Sequence, residues 1–284
     1  MNHVIRSISA LQDIVQQPEQ SIHFVPTMGG LHRGHLGLVE AAQEKNSTTI
    51  VSIFVNPTQF AAGEDLDAYP KDFESDRKKI HTTNPDAIVY LPQAEEIYNT
   101  KNYTWVVPDE KINSLACGTT RPTHFRGVLT VLLKFFNIIK PHKVFMGKKD
   151  YQQLFLVKKM AQSFFLNTEI IGVPTYRNES GLALSSRNTY LTQEELKIAP
   201  SLFNALQNIK LMWHSGSNIT NIAAEFKKMI HAKFKLDYLE FVDADSFTTI
   251  TDKVSSDGVA LCAAYLGKTR LIDNIELSLT KEFH

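Results

Sequence analysis

The chain has 284 residues, 43% of them hydrophobic, and balances 30 Lys and Arg against 30 Asp and Glu. That length suits one large domain or two modest ones, each with a core. The neutral balance argues against a broad nucleic-acid footprint, though a local basic pocket for a small anion is compatible with it. Cys117 and Cys262 stand outside any Cys-x-x-Cys pair or His cluster, so no zinc site is expected. Cys262 lies in an apolar run and reads as core. A disulfide between the two is left open, and a reducing cytoplasm is the simpler expectation.

In chain order, Val4, Ile8, Leu11 and Val15 recur at helical spacing and predict an amphipathic helix over 5–16, with no apolar signal region. The longest apolar run, 128–139, is broken by Lys134 and Asn137, so no membrane span is expected. Strands are predicted at 22–25, 49–55, 87–91, 144–146 and 169–173. Helices are predicted at 36–45, 72–81, 126–139 and 151–164. This alternation indicates βαβ units around a parallel sheet, with ligands at the carboxyl ends of the strands. After Pro174 the pattern changes. Helices at 194–214 and 221–235, separated by a turn at 215–218, precede strands at 238–242, 259–266 and 270–275. The chain is therefore expected to form an α/β parallel-sheet domain over 1–175 and a smaller α+β domain over 176–284.

The most informative segment follows the first predicted strand: Pro26-Thr27-Met28-Gly29-Gly30-Leu31-His32-Arg33-Gly34-His35-Leu36. A strand that ends in a glycine-rich turn and opens a helix is a place for phosphate, where backbone N–H groups converge on the positive end of the helix. His32 and His35 add donors suited to an anionic transition state. The next strand leads into Asn56-Pro57-Thr58-Gln59-Phe60, where Gln59 offers a donor and an acceptor to a substrate. Arg121-Pro122-Thr123-His124-Phe125-Arg126-Gly127 precedes a helix and could bind a carboxylate or a phosphate. Gly147-Lys148-Lys149-Asp150 follows another strand. A lysine there pairs with phosphate oxygens as a point charge, and Asp150 fits either a helix cap or a Mg²⁺ ligand. Gln152 and Gln153 open the following helix, and only one need face inward. Leu184-Ser185-Ser186-Arg187-Asn188 reads as a polar linker or as a phosphate contact made by two hydroxyls and a guanidinium.

These runs, with Asp65-Leu66-Asp67-Ala68-Tyr69-Pro70 and Arg270-Leu271-Ile272-Asp273-Asn274, resemble the pantothenate synthetase family, the pantoate–β-alanine ligases of coenzyme A biosynthesis. The resemblance is nearly full-length. The histidine motif is shared with the wider nucleotidylyltransferase superfamily, whereas Phe-Val-Asn-Pro-x-Gln-Phe and Asp-Tyr-Gln-Gln-Leu are far more specific. The resemblance implies a Rossmann-like domain, a C-terminal lid, ATP, Mg²⁺ and a homodimer. It implies attack of pantoate's carboxylate on the α-phosphorus of ATP to give pantoyl adenylate and pyrophosphate. β-Alanine would then displace AMP.

By motif position, the loop from Met28 to His35 would bind ATP, that is Met28, Gly29, Gly30, Leu31, His32, Arg33, Gly34 and His35, with His35 the expected proton donor. Gly147, Lys148, Lys149 and Asp150 would also hold ATP, as would Leu184, Ser185, Ser186 and Arg187, with Tyr176 near the adenine edge. Gln59 and Gln153 would hold pantoate, with Asn56, Arg121 and His124 as further substrate contacts. Catalysis would rest on His32, His35, Lys149 and Arg187. Asp150, and more weakly Asp76, would reach Mg²⁺. The chain departs from the family at Lys148, where Glu is usual, and at Ser75, where a second acid is often seen beside Asp76. A nucleotidylyltransferase that stops at adenylyl transfer is opposed by the two glutamines. A non-catalytic nucleotide sensor is opposed by the retained histidines, lysine and Ser-Ser-Arg run. The charge balance disfavours an RNA-binding synthetase relative.

Overall fold

The computed structural model describes residues 4–16, 20–98, 102–252 and 256–278. The chain divides into two compact units, one of residues 1–109, 121–148 and 152–175, the other of 110–120, 149–151 and 176–284.

In the first unit, β1 (Val4–Ile5), β2 (Ser21–Thr27), β3 (Ser47–Ile53), β4 (Ile88–Tyr90), β5 (Lys143–Gly147) and β6 (Glu169–Val173) form one sheet. Their spatial order is β1-β4-β3-β2-β5-β6, and every pairing is parallel. The intervening helices are α1 (Ile8–Val15), α2 (Arg33–Ala41), α3 (Phe73–Thr83), α4 (Ala94–Ile97), α7 (His124–Ile139) and α8 (Tyr151–Ser163), with α5 (Glu110–Asn113) and α6 (Ala116–Thr120) in the second unit. β2 is central: Phe24 pairs with Ile50 of β3 on one side and Val144 of β5 on the other. Phe24, Val25, Ile50, Val51 and Val144 are fully buried, as a sheet covered on both faces requires. Strand order runs from β2 through β3 to β4 on one side, then resumes at β5 on the other. The switch point therefore lies at the carboxyl ends of β2 and β5, where open α/β sheets bind ligands. This is the Rossmann-like sheet that the sequence predicts.

The second unit carries α9 (Gln193–Ile198), α10 (Ser201–His214), α11 (Ile219–Met229) and the antiparallel sheet β7 (Phe234–Asp243), β8 (Gly258–Leu266), β9 (Thr269–Leu277). Its core joins Leu202, Leu206, Ile209 and Trp213 of α10 to Ile222 and Phe226 of α11 and to Ala260, Cys262 and Ala264 of β8. Each large side chain buried here contributes about 1.5–3 kcal/mol. Cys117 and Cys262 are not joined in a disulfide, which answers the question left open by the sequence, and Cys262 is buried.

Several predicted elements are corrected. The helix expected over 5–16 starts only at Ile8, because Val4 and Ile5 instead pair with Val89 and Tyr90 of β4 and Ser7 caps the helix. The expected helix 194–214 is two helices, since Pro200 lacks an N–H and breaks the ladder between α9 and α10. The helix expected over 221–235 runs instead from Ile219, capped by Asn218, to Met229, and residues 234–235 open β7.

Candidate active site

The turn between β2 and α2 is built by internal hydrogen bonds. Gly29 and Gly30 have φ of +84° and +62°, conformations that a side chain rarely tolerates. A Cβ on Gly29 would come within 3.1 Å of an Asp76 carboxylate oxygen and 3.2 Å of Ile53 Cγ2. The N–H of Gly29 donates to Thr27 Oγ1 (3.3 Å), that of Gly30 to Asp76 Oδ2 (2.8 Å) and that of Leu31 to Asp76 Oδ1 (2.8 Å). Leaving a buried N–H unsatisfied costs about 1–3 kcal/mol, so these acceptors define the turn. The expectation that the turn's own N–H groups converge on phosphate is therefore corrected at Gly29, Gly30 and Leu31: each already has an acceptor. Asp76, read as a weaker Mg²⁺ candidate, is 2% exposed and braces the turn with both oxygens.

Two histidines cap α2. His32 is the N-cap residue, and its Nδ1 accepts the Gly34 N–H (3.1 Å); His35 Nδ1 accepts the His32 N–H (3.4 Å). Their rings lie 4.0 Å apart, tilted by 30°. An Nδ1 that accepts an N–H carries no proton, so each neutral imidazole holds its proton on Nε2. The cap thus favours the Nε2–H tautomer of both neutral rings. Arg33, on the exposed side of the first turn, pairs with Glu40 at 2.8 Å.

The glutamine site follows β3. Residues Pro57–Gln59 form a 3₁₀ turn capped by Asn56. Asn56 Nδ2 donates to Gln59 Oε1 (3.0 Å) and to the Gly127 carbonyl (3.2 Å), while its Oδ1 accepts from Tyr98 OH (2.7 Å) and Thr58 Oγ1 (2.9 Å). Asn56 is 1% exposed, and its amide is fully engaged. It positions Gln59 and does not present a contact to substrate, as the motif had suggested. Gln59 Nε2 lies 2.9 Å from Met28 Sδ, which joins this turn to the one after β2. Burial pushes the Tyr98 hydroxyl up to about 12, against the opposing effect of its Thr58 hydrogen bond, so it stays a neutral donor.

Helix α7 approaches this turn closely. A Cβ on Gly127 would sit 2.4 Å from the Thr58 carbonyl oxygen, which explains the glycine in the Arg-Pro-Thr-His-Phe-Arg-Gly run. His124 Nδ1 and Arg121 both reach the Gln59 carbonyl, at 2.9 and 3.3 Å. Arg121 also grips Glu64 with Nε and one terminal nitrogen, at 2.7 and 2.6 Å. Burial raises the Glu64 carboxyl and Arg121 lowers it, with a net shift downward. The carboxylate that Arg121 holds is the chain's own Glu64, which occupies two of the nitrogens expected to meet a substrate carboxylate or phosphate. Glu64 gave no signal in the sequence.

After β5, residues Lys148–Asp150 form a 3₁₀ turn. The Lys148 stem packs against β6, 3.3 Å from where a Cβ on Gly172 would stand. Gln152 is buried and Gln153 half-buried, so Gln152 is the one of the pair that faces the interior. Among the described residues, the side chains of Lys149, Asp150 and Gln153 have no hydrogen-bond or ion-pair partner.

In the second unit, the Lys149 carbonyl accepts from Asn274 Nδ2 (2.8 Å). Arg177 forks onto Asp273 at 2.6 and 2.8 Å and lies over Phe203, its guanidinium carbon 3.3 Å from the ring centre. The Leu184 N–H donates to the Tyr176 carbonyl (2.9 Å). Ser185 Oγ caps the 3₁₀ turn Ser186–Tyr190 by accepting the Arg187 N–H (3.3 Å). Within the second unit the Arg-Leu-Ile-Asp-Asn run thus acts as support: Asp273 secures Arg177, whose backbone bridges to Ala183, and Asn274 secures the Lys149 backbone.

Among the described residues, no three His, Cys, Asp or Glu side chains cluster to hold a metal unaided. Such a donor set suits Mg²⁺ only in the form that retains waters and rests on substrate phosphates with one or two carboxylates.

A parallel doubly wound sheet with a histidine-capped turn at its switch point defines a nucleotide-binding α/β protein. Residues 3–276 match the family model Pantoate-beta-alanine ligase, and the chain belongs to that family of carbon–nitrogen ligases. It is 44% identical over 278 residues to a pantothenate synthetase of Caldicellulosiruptor bescii, covering 96% of this chain and 98% of the relative. A pantothenate synthetase of Alteromonas mediterranea is 43% identical over 283 residues, covering 97% and 99%. The solved pantothenate synthetase of Thermus thermophilus superposes with a TM-score of 0.90 at 37% identity, covering 96% and 98%. The pantoate-beta-alanine ligase of Francisella tularensis, solved with a β,γ-ATP compound and β-alanine, superposes with a TM-score of 0.79 at 36% identity, covering 96% and 97%.

Proposed function

We propose that this protein condenses (R)-pantoate with β-alanine to pantothenate in two ATP-dependent steps. Pantoate's carboxylate oxygen attacks the α-phosphorus of ATP, and the α–β phosphoanhydride bond breaks to release pyrophosphate. The β-alanine amine then attacks the acyl carbon of pantoyl adenylate, loses a proton, and displaces AMP. The observation that carries this reading is the histidine cap at the switch point, where the Nδ1 atoms of His32 and His35 both accept backbone N–H groups. Adenylyl transfer needs positioning and charge stabilisation more than covalent help from the protein.

In this reading His32 and His35 donate to the phosphates as negative charge moves toward the leaving group. Lys149, Ser185, Ser186 and Arg187 bind phosphate oxygens, Tyr176 borders the adenine, and Gln59 and Gln153 hold pantoate. Mg²⁺, bound to the phosphates and near Asp150, would neutralise charge on the triphosphate. The ligand-bound Francisella relative supports ATP and β-alanine as substrates. A homodimer in the cytoplasm belongs to the same reading, by resemblance to the family.

The test is isotopic. With pantoate and Mg²⁺-ATP but no β-alanine, labelled pyrophosphate should exchange into ATP, and the exchange should stop when pantoate is omitted. Oxygen-18 from pantoate's carboxylate should appear in AMP after a full turnover. Label in inorganic phosphate, with ADP as product, would refute adenylation.

A further inference from the structure

The Gly30-Leu31 segment is held at its N–H groups and at the Leu31 carbonyl by one turn of α3. Asp76 takes the Gly30 and Leu31 N–H groups at 2.8 Å each. Three residues on, Lys79 Nζ donates to the Leu31 carbonyl at 2.9 Å and stands 3.9 Å from Asp76 Oδ1. Leu31 is thus fixed at its N–H, at its C=O and by a side chain that is 3% exposed. The next residue is His32, whose ring and backbone form the cap with His35. A charge buried beside a phosphate-binding turn is unfavourable unless it is paired and hydrogen-bonded. Here that charge meets two N–H groups and one ammonium.

We infer that Asp76 and Lys79 are positioning residues for the reaction: by clamping the Gly30-Leu31 segment they set where His32 and His35 stand. The inference rests on the catalytic reading above for its effect on rate, but the clamp itself is testable without substrate. Neither residue is a catalytic group, because each acts through the backbone before His32. Small misplacements of positioned donors are costly in rate, which is why a residue remote from the chemistry would matter.

The test compares Asp76→Asn and Lys79→Met with wild type. Asp76→Asn keeps one acceptor and turns an amide NH₂ toward the other N–H. It should lower kcat about 10²-fold at saturating substrates, and Lys79→Met about 10-fold. The Mg²⁺ concentration for half-maximal rate should stay at its wild-type value in both. Hydrogen exchange, measured without substrates, should show the Gly30 and Leu31 amides protected in wild type and exchanging faster in Asp76→Asn. This readout separates failure of the clamp from failure of the proposed reaction, since it holds whatever wild type catalyses. Recovery of Asp76→Asn by added Mg²⁺ would make Asp76 a metal ligand and overturn the inference. Wild-type exchange at both amides in the variant would overturn it as well. If Asp76→Asn does not fold, a folded Lys79→Met with wild-type kcat would do the same.

Discussion

After β2, the N–H groups of Gly29, Gly30, Leu31, His32 and Gly34 all reach acceptors inside the protein. After β5, the turn Lys148–Asp150 leaves the Lys149 and Asp150 side chains without partners among the described residues. Both turns leave carboxyl ends of the same parallel sheet on either side of the switch point, yet they are built for different tasks. The first is over-determined: two left-handed glycines, a buried carboxylate and a histidine cap fix two ring nitrogens in advance. The second offers the Lys149 ammonium, which no partner among the described residues holds. Preorganised donors act where charge develops in a transition state, while such an ammonium suits ground-state binding of phosphate.

The sharpest break in this comparison is His35→Ala. If the first turn carries the chemistry, the variant should lose about 10²–10⁴-fold in kcat for adenylate formation, read by pyrophosphate exchange. The fold is expected to survive the loss of the acceptor that His35 gives the His32 N–H. Turnover near wild type in a folded variant would remove His35 from the mechanism. The second turn divides its own lysines. Lys149→Ala should raise KM for ATP and cripple turnover, whereas Lys148→Glu, which restores the residue usual in the family, should be tolerated because the Lys148 stem packs on β6. Equal damage from both would mean that the turn works through its total charge and not through one ammonium.

The sheet and its motif-bearing turns were legible in the sequence because they rest on local signals. Apolar runs of strand length, glycines before a helix and paired histidines are patterns within about ten residues. What escaped depends on contacts between distant segments. Asp76 looks like any acid in a helix's first turn, and only folding brings it to Gly30, 46 residues earlier. Glu64 lies 57 residues from the Arg121 that it holds. Asn56 was legible as part of a motif, but its role was misread, because the sequence does not show that Tyr98 and Gly127 occupy its amide. Helical spacing also misled at Val4, where pairing with β4 outweighs an apolar repeat that reaches back four residues before the helix's first residue, Ile8.

Tyr98 gives the finest test of how far preorganisation reaches. Its hydroxyl donates to Asn56 Oδ1, which orients the Asn56 amide so that Nδ2 faces Gln59 Oε1. Gln59 is then held with its Nε2 toward Met28 and its oxygen already engaged. A glutamine fixed in this way presents an N–H, so it would meet an acceptor oxygen of pantoate and not a hydroxyl proton. Tyr98→Phe removes the hydroxyl's contacts with both Asn56 Oδ1 and Thr58 Oγ1 and leaves Asn56 Oδ1 to Thr58 alone. The amide pair then gains freedom to flip. KM for pantoate should rise by the equivalent of about 0.5–1.5 kcal/mol, with KM for ATP unchanged. Steady-state kinetics with each substrate varied in turn would show the split. A rise in both constants would mean that Tyr98 supports the fold in general, and no rise in either would mean that Gln59 holds its orientation without the relay.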